Sequence, residues 1–151
     1  MKTTIESFKI VGISVRTTNE NRQAMKDIPF LWNKFFTENI KDKIPNRIND
    51  DLYCVYTHYE KDHTQPYTTI LGYKVKADDA LPEDLVAIAI EAHNYKVFSA
   101  SGKASENFVY KEWLNIWNAD IDRAFTSDFE IYDATAQDPE NAKVDIYIAV
   151  N

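Results

Sequence analysis

Hydrophobic positions along the chain switch between a period near two residues and one near 3.6, and these switches mark out its elements. Ile5 to Arg16 alternates weakly and is rich in β-branched residues (Ile10, Val11, Ile13, Val15), which predicts a first strand. A polar linker, Asn19 to Arg22, precedes a stretch in which Ile28, Leu31, Trp32, Phe35 and Phe36 recur at helical spacing. Asp27 is placed to cap that helix and Pro29 to sit in its first turn, while Pro45 forces an end near Asn39 to Lys43. Leu52–Tyr59 and Tyr67–Val75 read as paired strands around the polar turn Glu60 to Pro66. After the turn-rich Ala77 to Asp84, Val86–Ile90 reads as short extended structure and His93–Ala100 as a strand, with Gly102 ending it. A second helix is expected over Ser105–Asn118, with Ser105 as its cap. Strands at Phe129–Ala134 and Val144–Val150 follow, around the turn Asp138-Pro139-Glu140-Asn141.

Strand, helix, strand, strand thus occurs twice. The local sequences echo: Leu31-Trp32 with Phe35-Phe36 against Trp113-Leu114 with Trp117, and Asp51-Leu52-Tyr53 against Asp128-Phe129-Glu130. The expected fold class is α+β: two βαββ units sharing one antiparallel sheet, both helices on one face, and a groove at the pseudo-twofold. Such a groove is a natural ligand site. The chain reads as a single domain, residues 1–151, with halves of about 1–80 and 81–151, long enough to bury a core without staples.

Composition sharpens this picture. The chain has 8 Phe, 9 Tyr and 3 Trp, more rings than a core of this size requires, and Tyr suits a surface with an apolar body and a polar tip. The net charge of -7, with basic residues spread singly, argues against direct nucleic-acid binding. No apolar run is long enough for a membrane span and the N-terminus lacks a signal-peptide core. The single Cys54 excludes an internal disulfide, and the expected location is cytoplasmic. Cys54, His58, His63 and His93 follow no metal-ligand spacing, and there is neither a phosphate-binding Gly-rich loop nor a nucleophile elbow. No metal or cofactor is expected. The acidic pairs Asp50-Asp51 and Asp78-Asp79 read as solvated turns.

What remains is one carboxylate among rings. In Ser127-Asp-Phe-Glu-Ile-Tyr-Asp133, strand alternation turns Glu130 the same way as Tyr132. An acid buried among aromatics is costly unless something positive or hydrogen-bonding meets it, which suggests a pocket for a cationic or reactive organic molecule. Tyr110, Trp113 and Trp117 share a helical face, where core packing under the sheet is the plainer alternative. Tyr53 matches Glu130 in the repeat alignment, which would set it across the groove. Tyr132, Tyr147, Phe98 and Tyr73 are further ligand candidates, each of which could be ordinary core.

Three stretches resemble a known family. They are Ile28-Pro29-Phe30-Leu31-Trp32 through Phe35; Tyr67–Val75 with Gly72, then Leu81-Pro82 and Tyr95-Lys96-Val97-Phe98; and Tyr110-Lys111-Glu112-Trp113-Leu114 leading to Asp128-Phe129-Glu130-Ile131-Tyr132. In that order, over nearly the whole chain, the sequence is similar to the bacterial effector-binding domain related to the DNA-gyrase-inhibitor protein. The same domain is fused to AraC-type and MerR-type DNA-binding regions. The resemblance implies a duplicated βαββ fold and an aromatic cleft that holds lipophilic or cationic compounds against one glutamate, here Glu130. Trp113 would then form the pocket wall and Trp32 its counterpart. The resemblance also implies three rival roles. The first is a small-molecule sensor or sequestering module acting with a separate DNA-binding regulator. The second is a hydrolase of reactive molecules with Glu130 as general base, as some stand-alone relatives are. The third is a gyrase-inhibitor-like interaction protein. The sequence starts at the first strand and stops at the last, without a helix-turn-helix region, so DNA binding by this polypeptide is not expected.

Overall fold

A computed structural model describes residues 2–76 and 83–151 of the chain. The Asp78-Asp79 pair, Leu81-Pro82 and most of the turn expected over 77–84 lie outside them. The elements run β1 (Lys2–Ile5), β2 (Phe8–Thr17), α1 (Ala24–Thr37), β3 (Arg47–Thr57), β4 (Tyr67–Val75), β5 (Val86–Ile90), β6 (His93–Gly102), α2 (Phe108–Asn118), β7 (Ser127–Tyr132) and β8 (Ala142–Val150). All eight strands join one sheet in the order β1-β6-β8-β7-β3-β4-β2-β5, and every pairing is antiparallel.

The expected first strand is in fact two. β1 pairs with β6 at one edge, whereas β2 pairs with β4 and β5 near the other, so the chain must leave the ladder at Glu6-Ser7. β5 is correspondingly a full edge strand. The helices also differ in their starts. α1 begins at Ala24, ahead of Asp27, and Pro29 lies inside it. Asp27 does not cap: its Oδ2 accepts from Thr17 Oγ1 at 2.9 Å and Gln23 Nε2 at 3.0 Å, tying the helix to the end of β2. Ser105 lies in a 3₁₀ turn, and α2 starts after Asn107, which adopts a left-handed conformation (φ 52°). Asn tolerates that region better than other non-glycine residues.

The two sheet faces carry separate cores. Cross-strand partners share a face, so the row Ile13–Leu71–Cys54–Glu130–Ile146–Phe98 runs across six strands on one side. Both helices pack on this side. α1 inserts Leu31 and Phe35 against Val11, Ile13, Leu71 and Tyr73, and α2 inserts Trp113 and Ile116 against Ala100, Ile146 and Ile148. The opposite face buries Phe8, Ile10, Tyr53, Val55, Ile70, Ile90, Tyr95 and Phe129 with no helix over it. Phe8 on β2 and Phe129 on β7 have ring centroids 5.3 Å apart although β4 and β3 lie between their strands. A flat sheet would separate them by roughly 14 Å, so the sheet curls with this face inside. The helices therefore lie on the outer side of the curl. The core under α1 reaches Leu52 and Cys54 on β3, and between the two helices a gap remains over Tyr56 of β3 and Glu130 of β7.

Candidate functional site

Glu130 occupies the centre of that gap. It is 2% exposed, on a strand with neighbours on both sides. Its Oε2 accepts from Trp113 Nε1 at 2.6 Å and from the Tyr56 hydroxyl at 2.9 Å, and its Oε1 accepts from the Tyr132 hydroxyl at 2.7 Å. Strand periodicity supplies Tyr132 from two residues along β7. Register supplies Tyr56, because Cys54 is the cross-strand partner of Glu130 and Tyr56 follows it on the same face. Trp113 comes from α2 above.

Burial is the largest influence on Glu130 and pushes its pKa above the ordinary carboxyl range, while the hydrogen bonds from Tyr132, Trp113 and Tyr56 and the thiol of Cys54 oppose the rise. The same burial, with the Glu130 charge adding to it, drives the Tyr132 and Tyr56 phenols well above their ordinary range. They stay protonated and serve as donors. The ion pairs among the described residues do not include Glu130. It is a buried acid with hydrogen-bond donors but no counter-charge.

A cavity of about 620 Å³ opens in front of it. α1 contributes Met25, Ile28, Pro29 and Trp32, and α2 contributes Val109, Tyr110, Trp113 and Trp117. Tyr56, Tyr59 and Tyr67 form the floor with Glu130 and Tyr132. The rings lock one another. Trp32 meets Tyr132 edge-on at 4.9 Å, Tyr56 meets Trp113 edge-on at 5.3 Å, and Tyr56 meets Tyr67 at 6.0 Å. His63 and Arg123 line the same space, with His63 stacked on Trp117 at 5.7 Å. Arg123 pairs with the fully buried Asp128 at 2.7 Å.

Of the residues singled out from sequence, Glu130, Trp113, Trp32, Tyr110 and Tyr132 line this cavity together. Trp117 lines it too, so neither α2 tryptophan is confined to the core. Tyr53, Tyr147 and Phe98 are placed elsewhere. Tyr53 pairs with Ile131, not Glu130, and its ring lies on the helix-free face against Phe8 and Phe129. The repeat alignment was one residue out of register, and in a strand a one-residue slip exchanges the faces. Tyr147 stacks on Phe129 at 4.8 Å on that same far side. Phe98 shares the face of Glu130 but packs under α2, away from the opening. Tyr73 packs on Phe35 in the α1 core. Sequence reading missed Tyr56, Tyr59, Tyr67, His63 and Arg123. For Tyr56 the signal was present, two residues from Cys54 on an alternating strand. The same alternation places Tyr67 on that face of β4, whereas Tyr59, His63 and Arg123 lie in turn and loop segments where no period points them.

Among the described residues no cluster of His, Cys, Asp and Glu is placed to hold a metal, and no helix is long and apolar enough to cross a membrane.

Known proteins resemble this chain in sequence and in fold. The family model described as "Cass2: Integron-associated effector binding protein" matches residues 3–150. The Bacillus subtilis (strain 168) protein described as "Putative transcriptional regulator protein YobU" is 31% identical over 98% of this chain and 95% of its own length. Among solved structures, an integron cassette protein from the mobile metagenome of Vibrio cholerae is 30% identical. It superposes with a TM-score of 0.77, covering 100% of this chain and 95% of that one. SAV2435, solved bound to tetraphenylphosphonium, has the same fold at 19% identity, with a TM-score of 0.82 over 100% of this chain and 93% of its own.

Proposed function

The chain belongs to the integron-associated effector-binding protein family, and on that premise we propose that it is a small-molecule sensor or sequestering module whose effector is a lipophilic cation. The observation that carries this reading is Glu130: a buried carboxylate held by three donors, without a cationic partner among the described residues, at the floor of an aromatic cavity. A desolvated carboxylate gains from a cation brought beside it, and exposed faces of Trp and Tyr add cation–π attraction of about 2 kcal/mol in a water-poor site. The volume of about 620 Å³ lies within the range of drug-sized ligand sites. Quaternary and phosphonium cations suit the site because they bring charge without strongly held water.

Sensing requires a reader. The net charge of -7 makes the chain itself a poor ligand for a phosphate backbone. The reading therefore includes a separate DNA-binding regulator that responds to the filled pocket. A gyrase-directed role rests on acidity and resemblance alone and ranks behind.

All three tryptophans of the chain line the cavity and report on its contents. Tetraphenylphosphonium titrated into the wild type is expected to quench their fluorescence saturably, and neutral triphenylphosphine oxide to bind far more weakly. Glu130→Gln preserves the hydrogen bonds, since its amide oxygen can accept from Trp113 and Tyr56 while its NH2 group donates to the Tyr132 oxygen. It is expected to fold normally and to lose about a hundredfold in phosphonium affinity, the scale of truncating one partner of a buried charge pair. Equal affinity of the folded variant and wild type would sink the cation reading. Product formed from a reactive cationic ester, and abolished by the same substitution, would turn the site into that of a hydrolase.

A further inference from the structure

The cavity has a second polar pole. The Trp113 indole that donates to Glu130 also lies beneath Arg123, whose guanidinium carbon is 6.0 Å from that ring's centroid and 4.4 Å from the centroid of Phe125. Arg123 lines the cavity, and its side chain is 6% exposed. Only Nη2 is used, donating to Asp128 Oδ2 at 2.7 Å. Nε and Nη1 are buried without a hydrogen-bond partner among the described residues, and so is Nδ1 of the neighbouring His63. Native proteins leave few such groups unpaired, because each costs much of its lost hydration. Three of them beside one cavity call for a ligand atom.

The charge balance says which kind. Asp128 is fully buried, and it accepts from Arg123, from the Tyr59 hydroxyl and from the Ala149 backbone N–H. It already neutralises the guanidinium. Burial, with the Arg123 charge second, holds His63 below its ordinary pKa and keeps its ring neutral. The pole therefore offers the Nε and Nη1 donors of Arg123, with His63 Nδ1 as a third in the Nδ1–H tautomer of the neutral ring, but carries little net charge. A carboxylate or phosphate placed there would face Asp128 as well as Arg123. A neutral carbonyl, amide or ether oxygen would satisfy the free N–H groups without that repulsion.

We propose that Arg123 and His63 form a hydrogen-bonding subsite for a neutral acceptor oxygen, so that this chain selects lipophilic aromatic cations that carry such an oxygen at the end remote from the charge. The inference rests on the cation reading of Glu130 and adds the second determinant of selectivity.

Three probes of nearly equal shape separate the two determinants: (4-benzoylphenyl)trimethylammonium, its methylene counterpart (4-benzylphenyl)trimethylammonium, and neutral 4-tert-butylbenzophenone. Binding is followed by tryptophan quenching. In the wild type the ketone cation is expected to bind at least about tenfold more tightly than the methylene cation, the effect of a hydrogen bond to a charged donor. Arg123→Lys keeps a cation for Asp128 but removes the Nε and Nη1 donors, and should bring the two cations to within about twofold of each other. The infrared carbonyl band of the ketone bound to wild type is an independent readout that needs no variant. A shift to lower frequency than in an apolar solvent supports the subsite, and an unshifted band overturns it. Equal affinity of the two cations in the wild type, with both still binding, overturns the subsite and leaves the cation site standing. Binding of the neutral ketone as tight as that of the ketone cation overturns the cation reading and the inference with it.

Discussion

Glu130 is an acid in full burial, where the charged form is disfavoured. Burial outweighs its three neutral donors, and no ion pair among the described residues reaches it, so its pKa stands above the ordinary value of 4.5. Two pH effects follow. Because the folded-state pKa is raised, the stability this group contributes is fully present below the unfolded carboxyl value and is lost as pH rises through the folded one. Ligand-free Glu130→Gln should therefore melt above the wild type at pH 8, with the gap closing as pH falls toward 4. Binding runs the other way. A cation needs the carboxylate, so phosphonium affinity should fall with acidification, approaching a limit of about tenfold per pH unit below the raised pKa. Calorimetric titrations between pH 4 and 8 would show this slope in wild type and none in the variant; a flat wild-type profile would mean that Glu130 does not titrate against the ligand. At this scale Glu130 and Tyr132 were legible, since alternation along one strand was enough to pair them.

At the scale of elements, the curl of the sheet places the site, and glycine permits the curl. Gly12 of β2 and Gly72 of β4 are direct cross-strand partners on the helix-free inner face, in the same row as Tyr53. A Cβ on Gly12 would lie 1.8 Å from the Leu71 carbonyl oxygen, and one on Gly72 would lie 2.1 Å from that of Val11. These contacts are with backbone, which cannot turn aside as a side chain can. Gly12→Ala is expected to lower stability by about 2–4 kcal/mol, seen as a reduced urea midpoint with little change in slope. A loss below about 0.5 kcal/mol would show that the strands can separate freely there. The helical periodicity of α1 and α2 was readable in the sequence. Their starts were not, because Asp27 bonds to Thr17 of β2 instead of capping and α2 begins after the left-handed Asn107, not at Ser105.

For the molecule as a whole, the proposed ligand would become part of the fold. The cavity lies between α1 and α2 over the sheet's central strands, and a cation in it would join the two helices through one charge on β7. A ligand present at a hundred times its dissociation constant stabilises the folded state by about 2.7 kcal/mol. In a chain of this length that raises the melting temperature by roughly 5–10 °C. Scanning calorimetry with tetraphenylphosphonium should show that rise in wild type and almost none in Glu130→Gln. An equal rise in both would place the ligand elsewhere on the molecule.

The sequence by itself determined the α+β class, the repeated order of strands and helices, the face shared by Glu130 and Tyr132, and the tryptophan stripes on both helices. These are local matters, set by periods of two and 3.6 along a continuous chain. The tertiary structure alone decided that Tyr56 and not Tyr53 meets Glu130, because strand register is a relation between segments 74 residues apart and a single step reverses the face. It alone split the first strand between one edge of the sheet and a place beside the other. It alone brought Arg123 and His63, from a loop and a turn, to the far pole of the cavity. The ion pair with Asp128 and the bridge to Val150 hold Arg123 beside Trp113, and the bond from Asn19 and stacking on Phe125 hold His63 beside Trp117.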